Sequence, residues 1–261
     1  MPKEYQICFL GTGAADYDWS KIGEPGIRGS AGTLLNGNIL FDYGTTGREN
    51  LSRFGISPDC IEVLLFTHSH SDHFSVKNVK ALLAERKNSN PLHICGDAVV
   101  INALAGCADC CLHLLEPGEK FQYGDFTFTA LLANHMIEAH PEEKTLHYLV
   151  ETQGKTLLYA TDGAGFTKPE WLIIREHHLD LIIIDATMAA SGDWRIFEHN
   201  DLETIWHICQ TLRAEKIIDD RSRVVLTHLA RTLWPDDAAT IDRLARSYGF
   251  EAAYDGMDIT Y

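Results

Sequence analysis

The chain lacks any apolar run approaching the roughly 18 residues of a membrane span, and no signal-peptide stretch separates Met1-Pro2-Lys3-Glu4 from the strand-like run at Gln6. A cytoplasmic protein with no membrane partner is therefore expected. Positive charge is scarce: Lys and Arg number 22 against 37 Asp and Glu, a net charge of −15. That balance argues against long nucleic acid or an anionic membrane as the main partner, because a polyanion meets net repulsion, while a local basic pocket is still allowed. Cysteine is limited to seven residues, an odd number scattered through apolar surroundings, as suits free thiols in a reducing compartment. No repeat, low-complexity tract or Pro/Gly/Ser-rich linker marks a boundary, so residues 1–261, 45% hydrophobic, read as one domain able to bury a sizeable core.

What is present is a succession of short β-type runs. They fall at Gln6–Leu10, Thr33–Asp42 with Asn36-Gly37-Asn38 as its turn, Glu62–Thr67, Leu92–Cys95, Phe126–Ala133, His147–Glu151, Thr156–Thr161, Leu181–Asp185 and Arg223–Thr227. Helical patterns come between them at Ser75–Arg86, Asp97–Ala105, Pro169–His177, Asp201–Arg213 and Pro235–Tyr248. In the fourth, Leu202, Ile205, Trp206, Cys209 and Leu212 share one stripe. The first half runs mainly to hairpins and the second alternates helix and strand. Two sheets packed face to face with helices on both outer faces would cover every strand, which predicts an α/β fold of the αββα sandwich type.

Histidine is the residue in unusual supply, 13 of 261. Four of the metal-ligand type, His68, His70, Asp72 and His73, lie within six positions directly behind the apolar run ending at Phe66. Leaving a sheet there, the chain can fold its imidazoles around a point. His68 and His70 alternate by two and can share one metal, while Asp72 and His73 turn toward a second. Four ligands under-coordinate two ions, so others are expected at later strand ends. His135, Asp162 and His228 each follow an apolar run. Any one of them alone is as well explained as a polar residue at a strand exit; three in succession are not.

With Thr67-His68-Ser69-His70-Ser71-Asp72-His73 the chain resembles the metallo-β-lactamase-fold hydrolases over nearly its full length. The resemblance implies two divalent metal ions per chain: His68, His70 and His135 on one, Asp72, His73 and His228 on the other, and Asp162 bridging. Asp72 then counts with the catalytic residues as well as the ligands. Within that superfamily the chain is most similar to the phosphodiesterase branch of phosphoribosyl cyclic phosphodiesterases and tRNase Z-like enzymes. Leu10-Gly11-Thr12-Gly13, Tyr148-Leu149-Val150-Glu151-Thr152, Thr161-Asp162-Gly163-Ala164-Gly165, His199-Asn200-Asp201-Leu202, Leu226-Thr227-His228 and Asp255-Gly256-Met257 carry that likeness. It implies His199 as a general acid that is not a ligand; the plainer alternative is a residue preceding a helix capped by Asn200 or Asp201.

The departures narrow the assignment. His70 stands where diiron flavoprotein relatives carry Glu, and Asn134-His135-Met136-Ile137-Glu138 replaces the glycine-rich segment of glyoxalases. The N-terminal cysteines and the late histidine of that branch's extra zinc site are missing too, Ala14–Ser20 and Arg231 standing in their places. Cys107, Cys110, Cys111 and His113 have a zinc-like spacing without a second cysteine pair and are expected to be ordinary thiols. His140 and His147 are expected to be exposed loop histidines, with His140 the alternative third ligand. Asp42 and Asp185 are candidates to orient ligand imidazoles, and Arg28, Lys21 and Arg231 are expected to be solvated surface charges.

Two ions about 3.5–4 Å apart lower the pKa of a bridging water and neutralise a phosphodiester's oxygens. The expected function is hydrolysis of a small phosphodiester, such as a phosphoribosyl cyclic phosphate, by a bridging hydroxide, with His199 protonating the departing alkoxide. A tRNA 3′-processing endonuclease and a lactone or thioester hydrolase are the alternatives from the same metal chemistry, and a degenerate binding protein lies outside it. Zinc or manganese leads the metals, with nickel or iron compatible with the same ligands. A homodimer is left open.

Overall fold

Short, mostly apolar runs of two to seven residues, too short for buried helices, assemble into two sheets in the computed structural model, which describes residues 4–190 and 192–261. The Met1-Pro2-Lys3 opening considered above lies outside the described residues. The first sheet takes strands β1 (Gln6–Gly11), β2 (Gly32–Leu35), β3 (Ile39–Phe41), β4 (Val63–Leu65), β5 (Leu92–Gly96), β6 (Cys110–Leu114) and the returning β14 (Met257–Thr260), in the order β14-β1-β2-β3-β4-β5-β6. The second takes β7 (Lys120–Tyr123), β8 (Phe126–Leu132), β9 (Leu146–Glu151), β10 (Thr156–Ala160), β11 (Leu181–Asp185), β12 (Arg223–Thr227) and β13 (Glu251–Ala252), in the order β13-β12-β11-β10-β9-β8-β7.

Both sheets are mixed and follow one plan. β1 to β3 are antiparallel, with the tight turn at Asn36 and Gly37 made by positive φ at both. From β3 to β6 the pairing is parallel, with crossover helices α1 (Gly47–Arg53), α2 (Val76–Glu85) and α3 (Ala98–Ala103). β7 to β10 form an antiparallel meander, after which β10 to β13 are parallel through α4 (Lys168–Ile174), α5 (Leu202–Ala214) and α6 (Ala238–Ser247). A hairpin-rich first half thus holds for β1 to β3 and again from β7, with a parallel stretch between. In that stretch a run such as Val63–Leu65 is buried on both faces and carries no alternation that would reveal its partner's direction.

The core has three layers of contact. Between the sheets lie Phe9, Phe41, Leu65, Phe128, Tyr148, Tyr159 and Ile183, with Phe41 stacked on Tyr159 at 4.4 Å. Leu51, Val79, Leu82 and Val100 seal the outer face of the first sheet, and Ile174, Leu202, Ile205, Leu212 and Ile241 that of the second. This is the expected αββα sandwich. It places the carboxyl ends of β3 and β4 beside those of β10, β11 and β12, and β8 shares their direction because both β8 and β10 run antiparallel to β9. Two cross-sheet bonds lock that end: Leu146 N–H to the Thr67 carbonyl at 2.8 Å and Tyr148 O–H to the Phe66 carbonyl at 2.6 Å.

Candidate metal centre

Each strand end delivers one piece of the site. The loop after β4 brings His68, His70, Asp72 and His73; β8 leads to His135, β10 to Asp162 and β12 to His228. Asp42, Asp162 and His228 all adopt positive φ, 59°, 60° and 60°. That conformation costs an L residue roughly 1–2 kcal/mol. It turns the chain sharply at the strand end, so these three side chains face back into the site. The β4 loop also needs room: a Cβ on Gly44 would stand 2.0 Å from the Asp72 carbonyl oxygen, so only glycine lets the backbone pass.

All seven sequence-expected ligands converge in two groups. His68 Nε2 is 3.0 Å from His70 Nδ1, which is 3.3 Å from His135 Nε2, and His68 Nε2 is 3.3 Å from Asp162 Oδ2. In the second group His73 Nε2 is 3.3 Å from His228 Nε2, 3.4 Å from Asp72 Oδ2 and 3.1 Å from the same Asp162 Oδ2. Metal–nitrogen bonds of about 2.0–2.1 Å at tetrahedral angles require ligand atoms about 3.3 Å apart, so these spacings fit an ion in each group. Asp162 Oδ1 is buried without a hydrogen-bond partner, 2.9 Å from His228 Nδ1. His140, the alternative third ligand, is exposed and pairs with Glu142.

Protonation differs between the two groups: the first offers neutral imidazoles, whereas, against burial, the neighbouring carboxylates raise His73 and His228 of the second. Burial pushes His68 and His70 down and His135 down to about 4, leaving neutral imidazoles with lone pairs to offer. Burial opposes ionisation of Asp162 and Asp72, yet the His228 and His73 imidazoles hold both carboxyls well below their ordinary value. His228 is pushed up to about 10, burial being outweighed by Asp162.

Behind the ligands stand two matching relays. Asp42 Oδ2 meets His73 Nδ1 at 2.9 Å and Asp42 also accepts the Thr67 hydroxyl, which in turn lies 2.9 Å from His68 Nδ1. On the other sheet Asp185 Oδ1 accepts the Thr187 hydroxyl at 2.6 Å, and that hydroxyl lies 2.9 Å from His228 Nδ1. In each relay the threonine proton goes to the carboxylate, so the hydroxyl oxygen accepts from the imidazole and fixes its tautomer. Thr187→Val should therefore weaken metal binding by about 10–100-fold, with Thr187→Ser restoring it. Chelator competition measures this, and an unchanged affinity in the valine variant would refute the relay. Thr67 and Thr187 were missed in the sequence; their position one before His68 and two after Asp185 was the available signal.

His199 occupies the parallel place to His73. Its Nδ1 contacts Asp185 Oδ2 at 2.8 Å and its ring opens on a cleft of about 280 Å³ that also receives His70, Asp72, His135, Asp162 and His228. Burial lowers its proton affinity, but the Asp185 carboxylate reverses this and the net shift is upward. Asp201 caps α5 by accepting from Thr204 N–H, whereas Asn200 ties Gly163 and Gly165 of the Asp162 loop.

Several expectations need correction. His147 is not an exposed loop residue: it sits on β9, 1% exposed, with Nδ1 2.6 Å from Glu170 and Nε2 3.3 Å from the Asp162 carbonyl. Its β-run dictated that burial, and the buried Glu170 carboxylate makes it tolerable. Arg28 is not a free surface charge but donates to Thr12 Oγ1 and the Ala253 carbonyl. Cys110, Cys111 and His113 form β6, where His113 pairs with His93 at 2.9 Å, and among the described residues no ligand-type group includes a cysteine. Lys21 and Arg231 are exposed as expected, Lys21 pairing with Asp18.

The chain is similar to known proteins. Ribonuclease Z of Thermosynechococcus vestitus (strain NIES-2133 / IAM M-273 / BP-1) is 27% identical over 110 residues, 38% of this chain and only 27% of that protein's length. A crystal structure described as a new diphosphatase from the PhnP family superposes with TM-score 0.74 at 17% identity, covering 99% of this chain and 98% of the other. The short form of human tRNase Z gives 0.67 at 21% identity, covering 97% and 98%. Among the described residues no helix is long and apolar enough to cross a membrane. The β-lactamase superfamily domain matches residues 37–229, from the turn before β3 to just past His228, and the chain belongs to that superfamily.

Proposed function

We propose that the protein is a dinuclear phosphodiesterase acting on a small phosphodiester, a cyclic ribose phosphate being one such substrate. The observation that carries this is a pair of four-atom donor groups sharing Asp162, with a further imidazole, His199, held on a carboxylate in the lining of the same cleft. His68, His70 and His135 would hold one ion, Asp72, His73 and His228 the other, and Asp162 both. Bound zinc or manganese ions, or nickel or iron, supply Lewis acidity that offsets charge on the phosphoryl oxygens and lowers the pKa of water.

The chain's own residues do the rest. Asp42 and Asp185, directly and through Thr67 and Thr187, keep four imidazoles in fixed orientation, so no reorganisation is needed as charge develops. With Nδ1 on Asp185, His199 presents Nε2 to the departing oxygen, and Asp185 stabilises the protonated ring that makes the donation. The unpaired thiols, including the buried Cys95 and Cys209, support our placing the protein in the cytoplasm.

A tRNA 3′-processing nuclease is the second reading, favoured by the likeness to ribonuclease Z. A net charge of −15 and a cleft bordered by Asp16 and Glu198 weigh against binding an extended polyanion. The metal-loaded protein should be tested against bis(p-nitrophenyl) phosphate, cyclic ribose phosphates, nucleotides, lactones and pre-tRNA. Turnover of small diesters is expected. Efficient pre-tRNA cleavage beside negligible turnover of small diesters would reverse the two readings, and lactone hydrolysis alone would remove both.

A further inference from the structure

Most charged groups at the cleft already have partners. Arg195, the guanidinium in its lining, is taken by Asp193 through Nε at 2.8 Å and Nη2 at 3.0 Å. Asp16 spends Oδ1 on the Arg231 N–H and Oδ2 on the Thr232 N–H and hydroxyl. Asp72 and Asp162 belong to the donor groups. Glu198 differs: it lines the cleft, one oxygen shares a 4.8 Å cluster with a ring nitrogen each of His135 and His199, and among the described residues its carboxylate has no hydrogen bond or ion pair.

Position gives that carboxylate a role. Resting on the phosphodiesterase reading, the departing oxygen lies within about 2.6–3.2 Å of His199, so Glu198 faces the leaving alcohol rather than the retained ester. A substituent on the carbon next to the C–O bond reaches it. An acceptor-only group there rewards an O–H or N–H donor with a charge-assisted bond and repels an anion. We propose that Glu198 selects phosphodiesters whose leaving alcohol carries a hydroxyl or ammonium beside the departing oxygen.

The test uses the zinc- or manganese-loaded protein and methyl phosphodiesters of four alcohols of similar size, followed by the alcohol released: ethylene glycol, ethanolamine, ethanol and glycolate. Wild-type kcat/KM should be about tenfold or more higher for a donor-bearing alcohol than for ethanol, the range of a charge-assisted hydrogen bond, and lowest for glycolate. Preference for ethanolamine alone assigns the donor as a cation, and preference for both assigns it as any hydroxyl or amine. In Glu198→Ala the ratios should collapse to within about twofold, and in Glu198→Lys glycolate should become the favoured leaving group. Ratios that survive in both variants while wild type cleaves the diesters overturn this proposal and leave the phosphodiesterase reading intact. Metal loss from Glu198→Ala would make Glu198 a ligand and also overturn it. A wild type that cleaves no diester removes both.

Discussion

Asp162→Ala should lose its metal and its activity together. Asp162 Oδ2 stands 3.3 Å from His68 Nε2 and 3.1 Å from His73 Nε2, so one oxygen serves both donor groups. Removing it would leave each donor group three ligands and take away the negative charge held between the two groups. The loss of affinity should exceed by far the roughly 10–100-fold that an outer partner costs. Asp162 also holds positive φ, which alanine tolerates poorly, so Asp162→Asn, which keeps the backbone preference and one oxygen, is the companion variant. Elemental analysis after dialysis, with thermal unfolding to verify folding, reads the result. Full metal occupancy with wild-type turnover in a folded Asp162→Ala would remove the bridging role and with it the dinuclear centre.

The second large effect separates proton transfer from metal binding. His199→Ala should keep its metal, because its Nδ1 is committed to Asp185 and it lies outside the two groups centred on His68 and His73. Turnover of an unactivated diester should fall on the order of 10²–10⁴-fold. For p-nitrophenyl esters the fall should be much smaller, since p-nitrophenolate leaves as a stable anion and gains little from a proton. Asp185→Asn should reproduce part of the loss on the unactivated diester, by removing the carboxylate that stabilises the protonated ring. Equal losses on both kinds of ester, with metals retained, would point instead to substrate positioning. Metal loss from His199→Ala would make His199 a ligand.

The loop after β4 was legible because four ligand-type side chains within six residues have no cheaper use at the end of a buried strand. His135, Asp162 and His228 were legible through their shared position behind apolar runs, a pattern visible in one dimension. Strand β6 and helix α1 were not. Cys110–Leu114 is only partly covered at the sheet edge, and Gly47–Arg53 is seven residues with a glycine at its start, so neither carries a strong period. His147 shows the limit from the other side: its strand was foreseen, but burial of an imidazole depends on Glu170, 23 residues later on α4.

The sequence by itself determined which residues could bind cations, and that two sheets with outer helices would carry them, since ligand chemistry and hydrophobic period are properties of the chain. Only the tertiary structure decided what each of them faces. Asp42 reaches His73 across 31 residues, Asp185 reaches His199, and the bond from Thr187 to His228 spans 41. Glu198, one residue before the expected proton donor, carried no signal in the sequence; it stands out only because Arg195 and Asp16 beside it have partners while, among the described residues, its carboxylate has none. The physical reason is range. Periodicity and spacing act within one element, whereas orientation, desolvation and charge compensation are set by groups that meet only when separate elements pack together.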